Sequence, residues 1–148
     1  MSLNMICRKT EVLKLSHGEY VQLVPIEIST ILSDFVDFAC VVANTQMQYL
    51  IGILCLNVVN VRRLARSLNH SDDEDFESLV NDSGLQHSVK ADIESILDKN
   101  PLLNKYQRPL KYVFTTDQWT PESKLLTPSF KIIRSAIVEK YKEILSSC

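Results

Sequence analysis

The chain has 148 residues, 45% hydrophobic and 23% charged, a length and composition that suit one globular domain with its own core. Its formal net charge of −2 supplies no basic field for phosphates, which argues against a nucleic-acid partner.

Glu11 to Leu15 alternates polar and apolar side chains, the pattern of a half-buried strand. Ser16-His17-Gly18-Glu19 predicts a turn, and Tyr20-Val21 the returning strand of a hairpin. Pro25 suits the first position of a helix, and Ile28, Ile31, Leu32 and Phe35 then make one apolar face expected to point inward. Residues 38–43 and 49–56 are β-branched apolar runs joined by a short polar link, and they read as a strand pair forming the middle of a sheet.

Asn57 is placed to cap a helix running to about residue 69, with Val58, Val61, Leu64, Ala65 and Leu68 inward and Arg62, Arg63 and Arg66 toward solvent. The acidic run 71–75 lacks the Gly and distal Glu of a calcium loop and reads as a loop leading into a helix. Gly84 is expected to divide a short helix from a longer one over 85–99, which Asn100-Pro101 ends. A third strand is predicted over 108–115 and a last helix capped by Ser135. Hairpin, helix, strand pair, helices, strand, turn and helix make an α+β fold, a small sheet with an N-terminal β-hairpin covered by helices.

The four cysteines have no C-x-x-C spacing, and Cys40 and Cys55 inside apolar runs read as core thiols in a reducing, intracellular setting. His17, His70 and His87 are scattered, so no metal site is predicted. No apolar run approaches the roughly 20 residues of a membrane span, and Met1-Ser2-Leu3-Asn4 does not open a signal peptide.

One lysine, Lys131, sits between Phe130 and Ile132, where the turn Pro121–Lys124 and the extended Thr127-Pro128 give way to the last helix. An ammonium projected there would suit phosphate or carboxylate oxygens. The segment Trp119 to Lys131 (W-T-P-E-S-K-L-L-T-P-S-F-K) resembles the end of long-chain fatty acyl-CoA synthetases. These belong to the adenylate-forming ligase superfamily, in which the segment reads roughly N-G-L-L-T-P-T-L-K-x-K-R. Lys124 stands where the family has Gly, and Ile133 where it has a basic residue. Near the other end, residues 7–21 (C-R-K-T-E-V-L-K-L-S-H-G-E-Y-V) are similar without a gap to the family's D-R-K-K-D-I-F-K-L-S-Q-G-E-Y-V. Val24-Pro25-Ile26-Glu27 looks like the V-P-I-E of the related bubblegum-type synthetases.

The resemblance implies that residues 1–10 are a hinge or linker, with Arg8, Lys9 and Thr10 at the hinge itself, and that 11–148 form the C-terminal lid domain. It makes Lys131 the catalytic lysine of adenylation and Gly18, Glu19 and Tyr20 a loop near CoA. The family's large N-terminal domain, which binds ATP through a Gly-rich phosphate loop, would be absent, since three glycines build no such loop. ATP, Mg and CoA are therefore expected in the complete ligase and not on this chain alone. Its partners would be that N-terminal domain and, through it, fatty acid and CoA. Membrane association would come only through the missing part, leaving the chain cytoplasmic or peripheral. The alternative is a stand-alone regulatory module, or a truncated remnant, derived from such a lid.

Overall fold

The computed structural model describes residues 12–16, 18, 20–101, 103 and 108–147. Val12–Lys14 (β1) and Tyr20–Gln22 (β2) pair antiparallel with Leu13 opposite Val21, forming the expected hairpin. The chain passes directly from β2 into a helix, Leu23–Thr30 (α1), two residues earlier than Pro25 suggests. Pro25 is thus the third helical residue, still within the first turn, where its N–H would have no intrahelical partner.

Among the described residues the main sheet has three strands in the order β3–β4–β5: Val36–Ala43 (β3), Leu50–Leu56 (β4) and Pro109–Thr115 (β5). β3 and β4 are antiparallel, as a short link dictates, whereas β5 lies parallel to β4. The predicted strand pair exists, but only β4 is central, and β3 is an edge. All seven residues of β4 are buried, because helices cover both faces of the sheet. Gly52 in β4 admits a close approach: a Cβ there would stand 3.0 Å from Cδ1 of Tyr112 on β5.

The parallel return to β5 needs a crossover, and three helices supply it. Val58–Ser67 (α2) is capped by Asn57, whose side chain accepts from the Asn60 amide, as the sequence predicts. Phe76–Val80 (α3) follows the acidic loop. Ser83–Asp98 (α4) is capped by Asp82, which accepts from the Leu85 amide, so Gly84 lies inside this helix and does not divide it from α3. Leu85, Val89, Ile93 and Leu97 form its buried stripe. The arginine face of α2 meets the acidic loop: Arg66 pairs with Asp72 at 2.6 Å, and Arg62 donates to the Glu74 carbonyl at 3.0 Å.

After β5, the chain ends in Arg134–Lys140 (α5) and Lys142–Ser146 (α6), two short helices in place of the single one expected. Ile133 occupies the cap, and Ser135 is inside α5. Strand alternation sorts the core in two. Ala39, Val41, Leu50, Leu54 and Leu56 face the hairpin and α1–α4, while Cys40, Val42, Ile51, Ile53 and Cys55 face Trp119, Leu125, Leu126 and the last two helices. Cys40 and Cys55 are free buried thiols, and burial pushes them up to about 12 and about 11.

The inward face expected of the first helix is reversed. Leu23, Ile26, Glu27 and Thr30 are buried, while Ile28 is 56% and Leu32 68% exposed, with Ile31 also exposed. The helix ends at Thr30, so Ile31 and Leu32 fall beyond the period that seemed to align them. No helix among the described residues is long and apolar enough to cross a membrane.

Candidate functional site

Lys131 is carried by a turn closed on itself. Leu126 and Ile132 form an antiparallel bridge, and the Ile133 amide donates to the Leu125 carbonyl at 2.8 Å. Above that base the Thr127 amide donates to the Lys131 carbonyl at 2.8 Å, and the Lys131 amide to Thr127 Oγ1 at 3.1 Å. Thr127 Oγ1 also lies 3.0 Å from Ser129 Oγ. Phe130 takes φ +65°, a left-handed conformation that lets the chain reverse within so few residues. Leu125 and Leu126 are buried beneath the turn, while Phe130 and Lys131 are exposed.

The approach to this turn is fixed as well. Trp119 is buried, and its Nε1 donates to Tyr141 Oη at 3.1 Å. Tyr141 Oη in turn donates to Asp117 Oδ2 at 2.9 Å, and burial pushes the phenol up to about 12. Lys124 takes φ +63° in the turn after Pro121, at the position where the family pattern has Gly.

Lys131 lines a groove of about 970 Å³ between α1 and α5. Its walls are mainly apolar, with Ile28 and Ile31 on one side and Phe130, Ile132 and Val138 on the other. Asp37 and Glu139 line it as well, and so do two further charged side chains, Glu27 from α1 and Arg134 at the start of α5. They are bonded to each other through both carboxylate oxygens, Arg134 Nη2 reaching Glu27 Oε1 at 3.0 Å and Nη1 reaching Oε2. No carboxylate among the described residues lies within ion-pair distance of the Lys131 ammonium. An exposed cation beside an apolar groove can serve an incoming anionic group without first breaking an internal pair.

Of the other residues singled out by sequence, Gly18 sits at the hairpin turn with φ +96°, its amide donating to the Leu15 carbonyl at 2.9 Å. Only glycine adopts that conformation without strain. Tyr20 is exposed, with the Lys14 ammonium 5.5 Å from its ring centre. Glu19 and the hinge residues Arg8, Lys9 and Thr10 lie outside the described residues. The hairpin packs through Leu15 and Val21 on the α1–α4 side of the sheet, and the lysine turn packs on the other side. The two candidate sites are therefore not brought together in one pocket.

Sequence reading assigned no role to Glu27 or Arg134, although both stand in the segments that carry the resemblance. A signal exists: Glu27 is flanked by Ile26 and Ile28, and Arg134 closes the run Ile132-Ile133. Opposite charges embedded in apolar runs imply a buried pair, because neither tolerates burial alone. No three His, Cys, Asp or Glu side chains gather as a potential metal site among the described residues.

Over 157 residues the chain is 31% identical to Long chain acyl-CoA synthetase 8 of Arabidopsis thaliana, a match that takes in 97% of this chain and 20% of that protein. Long-chain-fatty-acid–CoA ligase 4 of Saccharomyces cerevisiae is 30% identical over 141 residues, with 95% of this chain and 20% of that one covered. No protein-family model matches. Among solved structures, the adenylation domain of a carboxylate reductase from Mycobacterium chelonae superposes with a TM-score of 0.76 at 24% identity, over 95% of this chain and 19% of that one. The A domain of the Segniliparus rugosus carboxylic acid reductase, solved in complex with AMP and a co-purified carboxylic acid, gives 0.72 at 24% identity, over 95% and 20%. These structures share the fold. The chain is a homologue of the long-chain acyl-CoA synthetases along nearly its whole length, and it spans about a fifth of theirs.

Proposed function

We propose that this homologue of acyl-CoA synthetases acts as the mobile C-terminal lid of an ATP-dependent long-chain fatty acid–CoA ligase and is inactive without the ATP-binding part. In the complete reaction a fatty acid carboxylate attacks the α-phosphate of ATP, releasing pyrophosphate. CoA then attacks the acyl-adenylate to give the thioester and AMP. Lys131 serves the first step: its ammonium bridges the attacking carboxylate and the α-phosphate, positions them and spreads the charge that develops. Contributions of this type amount to several kcal/mol in order of magnitude.

The observation that carries the reading is the setting of Lys131, an exposed ammonium with no ion-pair partner among the described residues, on a self-braced turn beside an apolar groove. Ile28, Ile31 and Phe130 form a surface that the rest of a ligase would cover on closing over its substrates. For the second step the lid rotates and offers the hairpin turn, with Gly18, Glu19 and Tyr20, to the path of CoA. The location of the hairpin and the lysine turn on different sides of the sheet supports such an exchange of faces. Residues 1–10, including Arg8, Lys9 and Thr10, are the hinge in this reading, and 11–148 the lid. ATP, Mg, CoA and fatty acid are held mainly by the N-terminal domain, which is also the chain's principal partner.

The test is to replace the corresponding fifth of a complete acyl-CoA synthetase with this chain and measure acyl-CoA formation. The reading predicts activity in the hybrid, none in the isolated chain, and no calorimetric ATP binding by the isolated chain at micromolar concentration. A folded hybrid with no adenylation activity, or tight ATP binding by the chain alone, would contradict it.

A further inference from the structure

β3 is an edge strand, and an edge strand presents backbone groups with no neighbouring strand to bond them. At Val41 both are taken by side chains. The Val41 amide donates to Glu27 Oε2 at 2.6 Å, and the Val41 carbonyl accepts from Arg134 Nη1 at 2.8 Å. Glu27 and Arg134 are also bonded to each other at both ends of the fork. The pair thus stands in for a missing strand over one residue. It ties α1, whose buried side chains join the core on one face of the sheet, to α5, whose Ile137 joins the core on the other.

Arg134 is three residues beyond Lys131 and is the first residue of α5. The bonds of the lysine turn are internal, running between Thr127, Lys131, Phe130, Ile133 and Leu125. Buried Leu125 and Leu126 hold the turn down, but apolar contacts have no direction and leave its tilt open. Ile133 at the helix cap contributes no side-chain bond that would orient the start of α5. A bidentate guanidinium–carboxylate pair does have direction. Glu27 is only 7% exposed, so the fork is anchored in packed structure rather than in solvent.

We propose that Glu27 and Arg134 are positioning residues for Lys131: the fork clasped on the edge of β3 aims the lysine turn across the groove. A second effect follows from the same geometry. Asp37 and Glu139 also line the groove, held by Asn57 and Lys142, and a free Glu27 carboxylate there would compete with a substrate carboxylate for the ammonium. Engaged by Arg134 and by Val41, it does not. The proposal rests on the reading of Lys131 as the adenylation lysine and adds to it the residues that hold the lysine ready.

The experiment uses a complete ligase carrying this chain and compares Glu27→Gln, Arg134→Lys, their double variant and Lys131→Ala. Glu27→Gln keeps an acceptor for the Val41 amide, and Arg134→Lys keeps the charge, so each removes the directional fork while sparing bulk and packing. Pyrophosphate release reports adenylation, thioester formation from pre-made acyl-adenylate reports the second step, and a melting curve reports folding. Each single variant should lower kcat for adenylation roughly ten- to hundredfold, the scale of a misplaced catalytic group. KM values and the second step should stay within about twofold, and the double variant should be no worse than the weaker single, as for residues acting as one unit. Equal loss in both half-reactions would mean a purely structural pair and overturn the proposal. Normal adenylation in Glu27→Gln and Arg134→Lys, with Lys131→Ala still inactive, would overturn it while leaving the role of Lys131 intact. An active Lys131→Ala would instead remove the reading on which it rests.

Discussion

Lys124 is held at φ +63°, where a side chain crowds the following carbonyl and glycine does not. Replacing it with glycine relieves that strain, although glycine has more freedom to lose on folding. Lys124→Gly should therefore stabilise the chain by up to about 1 kcal/mol, raising the midpoint of thermal unfolding by roughly 2–4 °C. Glu27 and Arg134 work in the opposite direction. Removing one member leaves a charge in a desolvated site and strips one Val41 backbone group of its partner. Glu27→Ala or Arg134→Ala should cost about 3–5 kcal/mol in denaturant unfolding, whereas truncating the exposed Glu139, paired with Lys142 at the surface, should cost almost nothing. The family pattern made the Lys124 position visible in the sequence. The Glu27–Arg134 pair spans 107 residues, and no local pattern joins two residues so far apart.

Among the elements, α1 shows where reading by periodicity stops. Ile28, Ile31, Leu32 and Phe35 do recur at helical spacing, but the helix ends at Thr30, and its buried side is built from Leu23, Ile26, Glu27 and Thr30. A helix this rich in apolar residues carries two candidate faces, and a buried glutamate marks the true one only once its arginine is known. The exposed stripe should therefore be dispensable for folding: Ile28→Ser should change unfolding free energy by no more than about 0.5 kcal/mol. A loss of several kcal/mol would show that the stripe belongs to the core. Asn57 and the helix it caps were legible because cap chemistry and spacing agree there. The break between α3 and α4 was misplaced because Asp82, an efficient cap, outranks Gly84 as the signal.

In the same helical region His70 Nδ1 lies 2.7 Å from Glu74, and its Nε2 lies 3.4 Å from Asp82. Hydrogen bonding to Glu74 raises the histidine above its ordinary value, outweighing desolvation. The bond to the Leu85 amide holds Asp82 below the ordinary carboxylate range. The histidine's contribution is complete below its unfolded value and fades as pH rises through the higher folded value. That of Asp82 is complete above its unfolded value and fades as pH falls through the lower folded one. His70→Asn should thus flatten the loss of stability as pH rises above the ordinary histidine value of 6.5, leaving the acid limb in place. An unchanged alkaline limb would show that His70 is not its source.

At the scale of the whole molecule the described residues form a hairpin and a three-stranded sheet with a core on each face and a clasp around one edge. Its α+β class and the order of its elements were legible because hydrophobic period and turn residues agree along most of the chain. The parallel placement of β5 was not, since pairing across a long crossover leaves no local trace in either strand. Nor was the groove, which arises only where α1, β3 and α5 converge. The resemblance singles out the lysine, and its setting, an exposed ammonium on a turn above buried Leu125 and Leu126, is a property of the fold.

The most direct measurement is of the two half-reactions in a complete ligase carrying this chain, comparing Lys131→Ala with Lys124→Ala. Lys131→Ala should cut adenylation by at least about a hundredfold, consistent with loss of a transition-state contact. It should leave thioester formation from pre-made acyl-adenylate largely intact, and Lys131→Arg should rescue poorly because a planar fork cannot replace a compact charge. Lys124→Ala, seven residues earlier, should leave both steps near the parent rates. Similar adenylation rates in Lys131→Ala and Lys124→Ala would contradict the account and return Lys131 to an ordinary surface lysine.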